Sequence, residues 1–159
     1  MNASSLASCR ALLRVFRTQF RKIALSCCWG GFIFLLPHIA SAATYTVTNT
    51  ADFGAGSLRD AINQVNGGAG GDTINFSGVT GTIMVTSQLT ISQQVTINGP
   101  VANILAISGG DTTRVFYITA ANTVISGLEI THGNATVSGM SQGAGIMGAA
   151  GLIVNNCTF

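Results

Sequence analysis

The texture of residues 72–159 constrains this chain more than any other feature. Short runs of β-forming residues alternate with Gly, Asn, Ser and Asp. The runs are TINF (73–76), TIMV (82–85), LTI (89–91), VTI (95–97), ILAI (104–107), VFYI (115–118), TVI (123–125), LEI (128–130), GI (145–146) and LIV (152–154). No helical period runs through them, and proline occurs only at Pro100. Short strands separated by turn signals predict an all-β fold.

Self-similarity selects among all-β folds. Thr73-Ile74-Asn75 returns as Thr96-Ile97-Asn98, 23 positions on. Ile107, Ile130 and Ile153 are spaced 23 and 23, and Leu105, Leu128 and Leu152 are spaced 23 and 24. Ile97 to Ile118 and Ile125 to Ile146 are each 21 apart. Several residue types share a period of 21–24, enough for about three short strands. That predicts one coil of a parallel β-solenoid, about three to four coils in all, with Ile107, Ile130 and Ile153 stacked on one another. A single coil buries too few aliphatic side chains to offset the ordering of its backbone, so neighbouring coils must stack. Gly and Asn supply the corners, where positive φ is needed. Asn75, Asn98 and Asn122, 23 and 24 apart, are expected to form a corner ladder.

Ahead of the coils, residues 43–50 (ATYTVTNT) alternate as a half-buried strand, and ADFGAG (51–56) is a turn. Residues 57–66 read as a helix. Ser57 is placed as N-cap and Asp60 sits in the first turn, at the positive end of the helix dipole. Leu58, Ala61, Ile62 and Val65 form one apolar stripe, and Asn66-Gly67-Gly68 stops the helix. So short a helix is marginal alone. A solenoid end exposes strand edges and an apolar cross-section, so this helix and strand are assigned as the N-terminal cap, over 43–71. At the other end the chain stops inside a repeat, which predicts a truncated array over 72–159. Made alone, this piece is expected to associate through its open end, as light scattering would detect.

The first 42 residues have a different character. A basic n-region carries Arg10, Arg14, Arg17, Arg21 and Lys22, and a 14-residue apolar run (23–36) ends at Pro37-His38. Ala40-Ser41-Ala42 presents small residues where a signal peptidase reads. At about 1.5 Å per residue the apolar run is short of the roughly 30 Å a membrane anchor needs. Residues 1–42 are therefore assigned as a cleaved secretory signal. Cleavage after Ala42 leaves 117 residues with two basic groups (Arg59, Arg114), five acids (Asp52, Asp60, Asp72, Asp111, Glu129) and no Lys. The net charge becomes −3, which excludes an electrostatic nucleic-acid binder and a polybasic membrane-surface protein. Cys9, Cys27 and Cys28 leave with the signal. Cys157 remains as a single thiol, read as a small hydrophobe rather than a nucleophile.

Gly56-Ser57-Leu58-Arg59-Asp60-Ala61-Ile62 resembles the C-S-L-R-E-A-I signature near the N-terminus of many bacterial secreted right-handed parallel β-helix proteins, with Gly56 in place of Cys and Asp60 in place of Glu. GGDTINFSG (70–78), LTISQQVTINGP (89–100) and VISGLEITHGNA (124–135) resemble the opening coils of that pectin-lyase-like superfamily. Gly143-Ala144-Gly145-Ile146 and the closing Asn155-Asn156-Cys157-Thr158-Phe159 are similar to polymorphic outer-membrane protein repeats, although Ala144 departs from their motif. The resemblance implies a right-handed β-helix. It also implies an exported surface or secreted protein of the adhesin or autotransporter-passenger kind, or a relative of polysaccharide lyases and hydrolases.

Relatives that act on pectin-like polymers use clustered carboxylates, with calcium in the lyases. Here the five acids are dispersed, so no catalytic, cofactor-binding or metal-ligating residue is assigned, and calcium enters only under the lyase alternative. Glu129, between Leu128 and Ile130, is expected to point outward on a solvated strand face. His132-Gly133 reads as a surface turn, Arg59 as a cap residue and Arg114 as a turn residue. Sugar-binding clefts favour exposed aromatics, but the mature chain has no Trp and several of its six Phe and Tyr fall in core-like strands, which weighs against carbohydrate binding. Asn134-Ala135-Thr136 and Asn156-Cys157-Thr158 match glycosylation sequons of the kind Asn/Thr-rich turns produce by chance. The expected role is that of an exported cell-surface or secreted structural or adhesive module. Its partner would be a host or cell-surface glycan or protein, with no nucleic acid and no small-molecule cofactor. A membrane would be contacted only through further C-terminal sequence. The alternative is the N-terminal part of a pectate-lyase-like lyase or hydrolase.

Overall fold

Each short apolar run becomes a strand, because alternate Val, Ile and Leu side chains can be buried only if the backbone is extended. The computed structural model describes residues 41–136 and 142–159. The order is β1 (Thr44–Val47), α1 (Leu58–Asn66), β2 (Asp72–Phe76), β3 (Gly81–Met84), β4 (Leu89–Ile91), β5 (Val95–Asn98), β6 (Leu105–Ser108), β7 (Phe116–Ile118), β8 (Val124–Ser126), β9 (Glu129–Thr131), β10 (Ile146–Met147) and β11 (Ile153–Asn155). The predicted signal falls almost wholly on residues 1–40, outside the described residues. Only its last two positions, Ser41 and Ala42, are described, and both are exposed.

Successive strands enter three parallel sheets in turn: β1-β2-β5-β8-β11, β3-β6-β9 and β4-β7-β10. Three complete three-strand coils result, with β1 before them and β11 after them: a parallel β-solenoid of about four turns. Side chains of like shape stack down the interior. Ile74, Ile97 and Ile125 are in register and fully buried. Ile83, Ile107 and Ile130 form the second ladder. Leu89 and Phe116 begin the third. Each strand rests on equivalent neighbours at the spacing of a hydrogen-bonded ladder, so the apolar core is continuous from coil to coil.

The stacking of Ile107 on Ile130 stands, but Ile153 departs from the expectation. It lies in β11 of the first sheet, paired with Val124, and is 48% exposed. The period is the reason. Asn75 and Asn98 are 23 residues apart, but Asn98 and Ser126 are 28 apart. The corners after β6 and β9 lengthen the later coils, so a count of 23 no longer returns the chain to the same sheet. The 21-residue coincidences fail likewise: Ile118 pairs with Ile91, and Ile146 with Phe116. The polar ladder also differs from expectation. Asn98 Nδ2 donates to Asn75 Oδ1 at 3.1 Å, and the next rung is Ser126, whose hydroxyl donates to Asn98 Oδ1 at 3.4 Å. Asn122 instead takes a corner at φ 55°, as Asn156 does at φ 50°. Both positions need the left-handed conformation that Asn tolerates.

The cap forms as its pattern requires. Ser57 Oγ accepts the Asp60 N–H at 3.1 Å, and Leu58, Ala61, Ile62 and Val65 are all buried. The apolar stripe lies against β4, β1 and β2, at the end of the first coil. Among the described residues no helix is long and apolar enough to cross a membrane.

Candidate functional site

The alternation that buries Ile83, Ile107 and Ile130 must turn their neighbours outward. Thr82, Ala106 and Glu129 therefore form one row across the outer face of β3-β6-β9, and Met84, Ser108 and Thr131 form the next. These rows floor a groove of about 440 Å³, lined along one side by Gly110, Asp111 and His132 of the corners that follow β6 and β9. Its length runs across coils, from β3 to β9.

This corner side is held by its backbone. Asp111 and His132 both have positive φ, 58° and 48°. The Asp111 N–H donates to the His132 carbonyl at 2.8 Å, and Asn134 Nδ2 donates to the Asp111 carbonyl at 2.8 Å. One corner is thereby fixed on the next. The Thr131 hydroxyl and His132 Nδ1 are 2.9 Å apart, which orients the imidazole beside the groove. The lining thus holds two carboxyl groups, one imidazole, several hydroxyls and the exposed thioether chain of Met84.

Among the described residues no arginine lines this groove. Arg59 belongs to the cap, where it clasps Asp52: Nε and Nη2 reach Asp52 Oδ1 at 2.9 and 2.7 Å. The same guanidinium donates to the Ser87 and Gln88 carbonyls of the first coil and covers Phe53 at 4.9 Å. Asp52 Oδ2 accepts both the backbone N–H and the hydroxyl of Thr86, at 2.9 and 2.7 Å. Burial alone raises the Asp52 pKa. The two Thr86 bonds, and then the bonds and charge of Arg59, outweigh it and hold the carboxyl below its ordinary value. Arg114 does lie in a turn, but a buried one. It is 1% exposed, and it donates to the carbonyls of Gly143 and Gln142 and to the Gln88 side chain.

Glu129 points outward and His132 is an exposed turn residue, as the pattern predicts. What sequence reasoning missed is that coil stacking brings them together with Asp111. The signal was the 23-residue offset of the pairing that sets Ala106 beside Glu129, combined with strand alternation. Asp72 was also missed. Counted only among the dispersed acids, it is 4% exposed and lies on the same strand face as Ile74, two positions away. Cys157 is half-buried against the core, with Sγ 3.4 Å from the Asn155 carbonyl. The first sequon is committed internally: Asn134 Oδ1 accepts the N–H and hydroxyl of Thr136 at 2.9 and 2.6 Å. Among the described residues no group of three or more His, Cys, Asp and Glu is placed to hold a metal ion. Comparison with family models, curated proteins and solved structures returns no match to this chain.

Proposed function

We propose that this chain is an exported β-solenoid, secreted or displayed at the cell surface, that acts as a structural and adhesive module. The groove over β3-β6-β9 is its contact surface. One observation carries the reading: a groove runs across coils, rich in hydroxyls and carboxyls and, among the described residues, without a guanidinium. Such a lining fits an extended, uncharged, hydroxyl-rich chain, a neutral glycan. Hydrogen-bond donors and acceptors meet its hydroxyls, and the Met84 side chain offers an apolar surface for a sugar face. A polyanion would meet Glu129 and Asp111, with no Lys or Arg among the described residues of the lining to offset them.

The test is binding of the exported protein to a panel of neutral and acidic glycans, beside Ala106→Arg. Ala106 lies outward at mid-groove, between Thr82 and Glu129, so the long side chain fills the groove without entering the core. The expected result is retention of neutral glycans, weakened at least about tenfold by the substitution, with Tm unchanged. Absence of binding, or binding indifferent to Ala106→Arg, overturns the reading.

A second reading, a polysaccharide lyase or hydrolase, draws on one feature: Glu129, Asp111 and His132 share the groove. Turnover of pectin-like polymers, assayed with and without calcium and abolished by Glu129→Gln, would establish it in place of the first.

A further inference from the structure

A carboxylate on the inward face of a strand needs a partner, because burial of an unpaired charge costs several kcal/mol. Strand β2 places Asp72 there, in line with Ile74, and 4% of Asp72 is exposed. Among the described residues the only ion pair is Arg59–Asp52, so neither arginine serves Asp72. Among the described residues, the hydrogen bond to its carboxylate comes from the main chain: Ala43 N lies 2.7 Å from Asp72 Oδ1. Oδ2 faces Gly68, where an added Cβ would sit 3.2 Å away, so a side chain there would crowd the carboxylate. Ala43 itself is fixed by its carbonyl, which accepts the Thr73 N–H at 2.8 Å and begins the β1–β2 ladder.

Ala43 is also the residue that follows Ala40-Ser41-Ala42, the small-residue signature of a signal-peptidase site. We infer that the Ala42–Ala43 bond is the processing site, and that cleavage creates an α-ammonium group on Ala43 that pairs with buried Asp72 and locks the first strand onto the solenoid. The inference rests on the export reading above. The step is a hydrolysis. Water adds across the Ala42–Ala43 amide, the C–N bond breaks, Ala42 leaves as a carboxylate and Ala43 gains the protons of an ammonium. Before cleavage Asp72 accepts a bond from a neutral amide; afterwards the same nitrogen, in the same place, carries a full charge. An α-amino group with an ordinary pKa near about 8 is protonated at neutral pH. Charge-assisted hydrogen bonds are roughly twice as strong as neutral ones. Ala43 is half-buried, so the remaining ammonium hydrogens keep access to water, while Ser41 and Ala42 are exposed to a peptidase. The pairing makes removal of the signal a stabilising event for the exported fold.

The chemistry offers a clean test, because residues 43–159 contain no Lys and the α-amine is then their only aliphatic amine. The full chain is expressed in a secreting bacterium, and the exported protein is weighed intact and then treated with limiting acetic anhydride. The expected results are a mass that begins at Ala43 and α-acetylation at least about tenfold slower in the folded than in the urea-unfolded protein. The acetylated protein should also show a Tm lower by about 3–6 °C. In Asp72→Asn the acetylated and free forms should melt together. An N-terminus elsewhere removes the export site and this pairing with it. An N-terminus at Ala43 whose amine reacts equally fast folded and unfolded, or whose acetylation leaves Tm unchanged, overturns the pairing while the export reading stands. The wild-type measurements decide the matter even where Asp72→Asn does not fold.

Discussion

Ile107 and Ile153 look equivalent in the sequence, each 23 residues from Ile130, but the structure gives them opposite environments. Ile107 is fully buried, with Ile83 on one side and Ile130 on the other. Ile107→Ala removes three buried carbons between two strands pinned by backbone ladders, so the cavity has little room to collapse. The upper part of the usual range applies, about 3–5 kcal/mol. For a domain of this size that lowers Tm by about 10–15 °C. Ile153 is 48% exposed at the outer end of the first sheet. The same truncation there gives up only about half of the burial of three carbons, about 1 kcal/mol, or about 3–5 °C. Thermal melts of the protein followed by far-UV circular dichroism separate the two. Equal losses, or a larger loss for Ile153→Ala, would refute the register on which the coil assignment stands.

Three further outcomes follow from the cap and the corners. Asp52→Asn cuts the clasp between cap and first coil and should cost about 1–3 kcal/mol at neutral pH. The folded Asp52 pKa lies below the ordinary 3.8, so the clasp contributes fully above that value and is lost as pH falls through the lowered one. The stability gap between wild type and Asp52→Asn, measured by urea titration, should therefore close in strong acid. Ser57→Ala removes the hydroxyl that accepts the Asp60 N–H and should cost about 1 kcal/mol, read from the urea midpoint. Gly99→Ala should destabilise more than either, because its Cβ would collide with the Gly127 carbonyl oxygen of the next coil and, at 2.5 Å, with the Leu128 side chain. Gly127 is held in place by its N–H, which donates to the Asn155 carbonyl at 3.1 Å, and expression yield with Tm would show the loss.

The sequence by itself determined the local structure. Every β-forming run became a strand, because alternating aliphatic residues between Gly and Asn turns have one economical arrangement. The cap helix was equally legible, since its N-cap, its apolar stripe and its stop signal all agree. What only the tertiary structure decided is which strands stack. Lengthening a corner costs little conformational free energy, so the turns after β6 and β9 could grow without disturbing the ladders. A fixed period therefore loses its place: 23 residues connect Ile107 to Ile130, but 28 separate Asn98 from Ser126. That slip moved Ile153 to another sheet and replaced Asn122 by Ser126 in the polar ladder. The groove was hidden for the same reason. Glu129, Asp111 and His132 meet only when the coils are in register, and register is a property of stacked backbones rather than of any single run of residues. Asp72 shows the limit most sharply. Its burial follows from strand alternation, but its partner, the nitrogen of Ala43, is set by the pairing of β1 with β2.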